Sequence, residues 1–445
     1  MIKPYKPTFI FTAIRYMYTA MLLVSLPLLF ALMRKKLRLP VSHSGMAHRR
    51  FKERFALMPK NIKPNGILVH CASVGEVNAA QNLVRYLVKH FAHLPITVTT
   101  SSTTGAVHAF NLFKDGVQHH YLPVDLPFTI GRFLKVLSPK LVLVTEVEIW
   151  PNMLTKCRQR KIPVCLINAR LSSQSLPTYM RYRAFMRPAL RHFTFVCAQS
   201  QSSYDNFLSL GVYKPQLRLT QNMKFDLTAD AADTQKAQEL RHRFFDDKAQ
   251  ILVAASTHDG EEKFMVEVYK TLRKEFEHLC MMVVPRHPHR FDDVYLILKA
   301  AGLSVQRASA AVNDKDQTAD VVLIDKMGWL KACYELCSCA FIGGSIAPKG
   351  GHNALECALY AKPMVMGPST FNNPSITQYL QTQGALFVGE SVSQHAEVLK
   401  TWLSEPALAN EAGMKGKEVL ERNSGAVEAT LQVLEPVLPH EHAQA

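Results

Sequence analysis

Two glycine signatures that often mark nucleotide sites are missing from this chain: no Gly-Lys-Ser/Thr triplet closes a Walker A loop, and no Gly-x-Gly-x-x-Gly opens a dinucleotide fold. Paired Cys-x-x-Cys spacing is missing too. The nine cysteines are scattered, and the nearest group, Cys333, Cys337 and Cys339, is followed by no matching ligand cluster. That argues against a zinc module or a thioredoxin-like redox pair and for free thiols in a reducing compartment. Internal repeats, low-complexity tracts and a recognisable RNA or DNA module are all absent. Acidic residues are in the minority: 36 Asp and Glu face 52 Lys and Arg, a net charge of +16, which favours an anionic partner such as nucleic acid, an acidic lipid surface or a phosphorylated substrate.

What is present describes a globular protein of more than one domain. At 445 residues the chain exceeds one hydrophobic core, and 48% hydrophobic residues suffice for two. From Tyr16 to Met33 it carries no charge, close to the length that spans a bilayer as a helix. Arg15 precedes this run and Arg34, Lys35, Lys36 and Arg38 follow it, an arrangement that keeps the rest of the chain in the cytoplasm. Arg15 and Pro27 weaken a clean span, so an interfacial helix is the alternative. His48, Arg49, Arg50, Lys52 and Arg54 extend the basic flank toward an anionic membrane surface, or form a solvated basic helix face.

Beyond this anchor, short apolar runs alternate with longer amphipathic segments. Ile67 to Cys71, Ile96 to Thr99, Leu141 to Thr145, Val164 to Ile167 and Phe195 to Ala198 read as one set of strands. Ile251 to Ala255, Cys280 to Val284, Val321 to Ile324, Cys339 to Ile342 and Pro363 to Met366 read as a second. Such alternation predicts two α/β halves with parallel sheets. The polar, alanine-rich stretch after Asp226 sets the boundary, giving an anchor and basic flank at 1–40, domains at 41–226 and 227–438, and a flexible tail at 439–445.

In such sheets ligands bind beyond the carboxyl ends of the strands, and the polar motifs fall there. Gly343 to Glu356 reads as a strand end, a glycine-rich turn and a helix start over Asn353 to Ala361, a junction suited to phosphate, with Lys349 and His352 as added donors. Glu76 follows the first strand, placed to take a proton from an attacking hydroxyl, but Ser73-Val-Gly-Glu76 also fits a capping box. Glu146 and Glu148 follow another strand and need a turn to separate their roles, unless they simply pair with a base such as Arg170. Arg286, in a proline-stiffened loop after Pro285, suits bidentate phosphate contact or is a solvated basic turn. Lys224 lies at the domain junction, and Asp314-Lys-Asp316, with no strand before it, reads as solvated rather than metal-binding.

Taken in order, His70 to Glu76, Thr145 to Asn152, Asn168 to Ser172, Ala254 to His258, Pro285 to His287 and Gly343 to Glu356 resemble the Kdo transferases, which move 3-deoxy-D-manno-octulosonic acid (Kdo) from CMP-Kdo to a lipid A precursor in Gram-negative bacteria. The resemblance covers nearly the whole chain. It implies a GT-B fold of two Rossmann-like domains facing a cleft, acceptor on the first and CMP-sugar on the second, at the bacterial inner membrane with the catalytic domains cytoplasmic. It implies an inverting displacement that needs no metal, cofactor or nucleic acid. Glu76 would be the general base, and Glu146 and Lys224 would stabilise the transition state. CMP would be held by Pro285 and Arg286, by Met327, Gly328 and Trp329, and by Asn353, Ala354, Leu355 and Glu356. Three positions depart from the family pattern: Trp329 stands where a glutamate is usual, Cys71 for alanine and Cys357 for proline. The competing expectations are a GT-B transferase for another nucleotide sugar, and a non-catalytic basic membrane-attached binding protein.

Overall fold

The structure is a computed structural model, and it describes residues 9–37, 51–310 and 319–439. The basic residues Arg38, His48, Arg49 and Arg50 and the pair Asp314 and Asp316 lie outside the described residues. The chain divides into two compact units, 1–226 together with 424–445, and 227–423.

The first unit is built on strands β1 (Ile67–His70), β2 (Ile96–Thr100), β3 (Gln118–Tyr121), β4 (Leu141–Thr145), β5 (Val164–Ala169), β6 (Phe195–Ala198) and β7 (Leu217–Leu219). They form one parallel sheet in the order β3-β2-β1-β4-β5-β6-β7. Its inner strands are apolar on both faces, as a sheet covered by helices on each side requires. Ile67 and Val69 of β1 and Leu141 and Leu143 of β4 enter one core cluster. Leu68, Val142 and Val144 enter the other, the alternation that a strand imposes. Serines end the turns that follow three strands: Ser73, Ser102 and Ser200 accept the N–H of Glu76, Gly105 and Ser203 and so start the next helices.

The second unit repeats the plan with β8 (Gln250–Thr257), β9 (Leu279–Pro285), β10 (Val305–Arg307), β11 (Val321–Leu323), β12 (Cys339–Ile342), β13 (Met364–Met366) and β14 (Leu386–Val388), all parallel, in the order β10-β11-β9-β8-β12-β13-β14. Two parallel seven-stranded Rossmann-like sheets give a GT-B-like fold.

The segment 424–438, expected within the second domain, belongs to the first unit instead. Its helix Ala426–Leu434 buries Ala426 and Leu434 among Ile67, Val69, Leu141 and Leu143. Asp226, the last residue of the first stretch, accepts the N–H groups of Gly425, Ala426 and Val427 at 2.6, 3.2 and 2.5 Å and so caps that helix. Packing and cap together hold the returning chain.

The N-terminal helix runs from Phe9 to Leu37, with Pro27 inside it, and its stretch Phe9–Leu28 is long and apolar enough to cross a membrane. The helix starts earlier than the uncharged run suggests, so Arg15 lies within it rather than before it. Phe11, Arg15 and Thr19 recur at helical spacing on one buried face. Phe11 stacks on Phe185, Arg15 donates to Asn152 Oδ1 at 3.0 Å, and Asn152 Nδ2 donates to Thr19 at 3.0 Å. The opposite face exposes Met17, Met21, Val24 and Leu28. Arg54 is no solvated charge: its guanidinium donates to the carbonyls of Leu122 and Ser101 at 2.7 and 2.6 Å. All nine cysteines are free thiols, and every one but Cys280 is buried.

Candidate active site

Each sheet has a switch point at its centre, between β1 and β4 in the first and between β8 and β12 in the second. At such a switch point neighbouring strands send their following loops to opposite sides and leave a crevice at their carboxyl ends. Glu76, Glu146, Arg286 and the glycine-rich turn follow these strands or their immediate neighbours, while Lys224 follows β7 and Met327 to Trp329 follow β11.

In the first unit Glu76 opens the helix Val74–His90 just beyond β1. Its Oε2 accepts the Thr145 hydroxyl at 2.5 Å and the Ala72 N–H at 2.8 Å, and its Oε1 accepts the Ser73 hydroxyl at 3.0 Å. The capping box is half realised: Ser73 Oγ accepts the Glu76 N–H at 3.4 Å, but the returning carboxylate bond goes to Ala72 rather than to Ser73. Burial raises the pKa of Glu76 above its ordinary 4.5; the bonds from Thr145, Ala72 and Ser73 oppose that shift, and the charge of Glu146 adds to it. A carboxylate in this condition is a stronger base than an exposed one.

Glu146, the residue after β4, takes a left-handed backbone, φ +53°, and this supplies the turn that separates it from Glu148. Its ion-pair partner is Lys224 rather than Arg170: Lys224 Nζ lies 3.9 Å from Glu146 Oε1. Burial lowers the pKa of Lys224, while Glu146 holds it up. The turn bearing Lys224 hangs from β5, where Asn168 Oδ1 accepts the Met223 N–H at 3.0 Å, and Asn222 Oδ1 accepts the Lys224 N–H at 3.0 Å. Glu148 is a further member of this group. Burial first, then the charges of Glu76 and Glu146, push it up to about 7. Its Oε2 is 4.0 Å from Nε2 of His70, which burial pushes down to about 3, so that imidazole is neutral.

In the second unit the glycine-rich turn after β12 holds an anion, but the anion is part of the protein. The carboxylate of Glu261, itself fully buried, accepts the N–H groups of Gly344, Ser345, Ile346 and Ala347 at 2.7, 2.9, 2.9 and 3.1 Å, and that of His258 at 2.9 Å. These four amides are therefore closed to a phosphate, because Glu261 already satisfies them; the amides at the expected helix start, from Asn353 on, are a separate set. The helix expected over Asn353 to Ala361 is also shorter, Leu355–Ala358. Sequence reasoning passed over Glu261 because no local spacing links it to a turn more than eighty residues away.

Around that turn the basic groups are left available. Pro285 ends β9 and is buried. Arg286, whose N–H donates to Thr257 O at 3.0 Å, keeps a half-buried guanidinium with no hydrogen-bond or ion-pair partner among the described residues. Its charge reaches His258, His352 and Glu356. Met327 is exposed and Gly328 turns at φ +80°. Trp329 lies between two ammonium groups, Lys326 Nζ at 4.8 Å and Lys236 Nζ at 5.9 Å from its ring centroid. The indole thus offers those lysines a π face where a glutamate would offer charge. Asn353 Oδ1 accepts the Leu355 N–H at 3.3 Å, and burial raises the pKa of Glu356. The side chains of Ala354 and Leu355 are buried, so only their backbone can meet a ligand. Among the described residues no group of three His, Cys, Asp or Glu side chains is arranged to hold a metal ion.

Comparison with known proteins gives this arrangement a family. Residues 49–227 match the family described as 3-deoxy-D-manno-octulosonic-acid transferase (kdotransferase). Over 427 residues the chain is 36% identical to the 3-deoxy-D-manno-octulosonic acid transferase of Haemophilus influenzae, covering 95% of this chain and 99% of that one. The C-terminal CMP-Kdo binding domain of WaaA from Acinetobacter baumannii is 31% identical and covers 43% of this chain and 100% of that one, with a TM-score of 0.40. A glycosyltransferase from Rickettsia africae shares the fold, with a TM-score of 0.54 at 12% identity over 85% of this chain and 100% of that one. With 36% identity along almost the whole length of a relative, the chain belongs to the 3-deoxy-D-manno-octulosonic acid transferase family, glycosyltransferases of the GT-B fold.

Proposed function

We propose that this protein moves a Kdo residue from CMP-Kdo to a hydroxyl of a tetraacylated lipid A precursor at the cytoplasmic face of the bacterial inner membrane, within lipopolysaccharide core biosynthesis. The observation that carries the reading is Glu76: a buried carboxylate with raised pKa, held by Thr145, at the switch point of the first sheet. Glu76 takes the proton of the acceptor hydroxyl as that oxygen attacks the anomeric carbon. The bond from the anomeric carbon to the phosphate oxygen breaks, its electron pair leaves with CMP, and the configuration inverts. Glu146 and Lys224, paired at 3.9 Å, form a fixed dipole beside the reacting group and stabilise charge that develops there.

The second unit takes the nucleotide. Arg286 suits the phosphate, Met327 to Trp329 form a turn after β11, and Asn353 to Glu356 offer backbone and carboxylate contacts. Membership of the 3-deoxy-D-manno-octulosonic acid transferase family supports this choice of donor. The exposed apolar face of the N-terminal helix suits a lipid acceptor. To test the reading, detergent-solubilised protein is incubated with CMP-Kdo and tetraacylated lipid A precursor, and the lipid mass and released CMP are followed. Each Kdo added should appear as one mass step with one CMP. An unchanged lipid mass would sink the proposal.

A further inference from the structure

With the amides at 344–347 held by Glu261, an anion near this turn needs other donors, and two side chains beside it form a pair. Nε2 of His258 and Nε2 of His352 are 2.9 Å apart, their ring centroids 5.1 Å apart and their planes inclined by only 9°. Two ring nitrogens at this distance share one proton, one donating and one accepting. The tautomers follow from that. The ring that donates from Nε2 has a bare Nδ1, and the neutral ring that accepts at Nε2 must carry its proton on Nδ1. A neutral pair therefore presents one Nδ1–H donor and one open Nδ1.

Burial favours the neutral form of both rings. Burial is the leading cause that lowers each of them, His352 to about 3, and the Arg286 charge adds to it in both. Neither Nδ1 has a hydrogen-bond partner among the described residues. The charged and titratable groups around the pair are Arg286, Lys349, Arg290, His287 and Glu261. The carboxylate of Glu261 is spent on backbone N–H groups, and Arg290 is paired with Glu262 at 2.6 Å and Asp259 at 3.6 Å, so Arg286 and Lys349 are the charges that favour an anion here. Gly344, at φ +70°, makes the pairing possible, because a Cβ there would lie 3.0 Å from the His352 ring.

We propose that the His258–His352 pair is a phosphate-recognition element: its single Nδ1–H donates to a phosphate oxygen of the bound nucleotide, beside Arg286 and Lys349, in the role the glycine-turn amides would otherwise fill. Glu261 is its positioning residue, since it ties the His258 backbone to the turn that carries His352. The inference rests on the reading of the second unit as the CMP-sugar site.

Binding of CMP and of cytidine to the full chain in detergent tests it. His258→Phe and His352→Phe keep a ring and remove its nitrogens. The variant that removes the ring bearing Nδ1–H should weaken CMP by about tenfold or more, the worth of one hydrogen bond to a charged group, and both should leave cytidine within about twofold. Unchanged CMP affinity in both variants overturns the proposal, and so does a parallel loss of both ligands, which a merely structural role would give. The parent protein supplies a reading that needs no variant to fold: with 15N-labelled histidine, CMP but not cytidine should move one Nδ1–H resonance, and a static spectrum on CMP saturation contradicts the pair. Failure of the parent to bind CMP would overturn the donor assignment itself, and this inference with it. CMP binding and Kdo transfer with indifferent histidine variants would overturn the pair alone.

Discussion

Thr145 and Glu76 are joined by a hydroxyl-to-carboxylate bond of 2.5 Å that reaches from the end of β4 to the residue group beyond β1. The same Oε2 also accepts the Ala72 N–H, so one carboxylate oxygen is committed to holding the side chain. The other, Oε1, is bonded among the described residues by the Ser73 hydroxyl alone, which can rotate away, and Oε1 is thereby the oxygen fitted to take a proton.

The first prediction concerns this bond. Thr145→Val removes a donor that lowers the pKa of Glu76. The carboxylate must be ionised to act as a base, so transfer falls as pH drops, and in the variant that acidic limb moves to higher pH. Transfer should also slow by about tenfold or more, the worth of one charged hydrogen bond. Thr145→Ser should restore both. The measurement is the pH dependence of Kdo transfer, and a limb that stays in place contradicts the role given to Thr145.

Glu148 makes a stability prediction. Its pKa is raised from 4.5 to about 7 in the folded protein, so the folded state binds the proton more tightly than the unfolded one. Between those values stability falls as pH rises, because the buried carboxyl must ionise. Glu148→Gln removes this penalty. The variant should match the parent in thermal unfolding below about pH 4.5 and exceed it above about pH 7; equal midpoints at about pH 8 would refute the burial argument.

Trp329 is predicted to substitute for the family's glutamate by a different force. Lys326 and Lys236 lie over its ring, and each such contact is worth about 0.5–2 kcal/mol. Trp329→Glu exchanges these contacts for ion pairs and should keep CMP affinity within about threefold. Trp329→Ala leaves both ammonium groups without that partner and should weaken CMP by more. Calorimetric titration with CMP separates the two outcomes, and equal affinities in both variants would show that the ring does not shape the site.

At the anchor, Arg15→Ala should leave the protein in the membrane fraction, since the exposed apolar face of the helix is untouched. It should lower the unfolding midpoint, because the buried Asn152 carbonyl oxygen loses its closer donor and keeps only the Thr19 hydroxyl at 3.4 Å among the described residues, a loss of about 1–3 kcal/mol. Release into the soluble fraction would instead make Arg15 part of the membrane contact.

The inner strands of both sheets were legible in the sequence because they are buried on both faces and read as continuous apolar runs. The four strands that were not, Gln118–Tyr121, Leu217–Leu219, Val305–Arg307 and Leu386–Val388, are the four sheet edges. Edge strands are short and half exposed, so polar residues such as Gln118, Arg218 and Gln306 break the apolar signal. Glu76, Glu146 and Arg286 stand out as candidates because each follows a recognisable strand, whereas Lys224, at the domain junction, is singled out only by the family resemblance. The grip of Glu261 on residues 344–347 and the meeting of His258 with His352 are long-range, and nothing in local spacing announces them. The same holds for the last helix: Ala426 and Leu434 fit any core, and only the structure shows which one they join.

The central claim, that Glu76 is the base for transfer from CMP-Kdo, is tested most directly by Glu76→Gln. The amide keeps the shape of the side chain and still accepts a hydrogen bond, but it cannot take the acceptor's proton. Transfer of Kdo to tetraacylated lipid A precursor should fall by about 10²–10⁴-fold, while CMP affinity and the unfolding midpoint stay near the parent values. A Glu76→Gln variant that transfers Kdo within about tenfold of the parent rate would contradict the account.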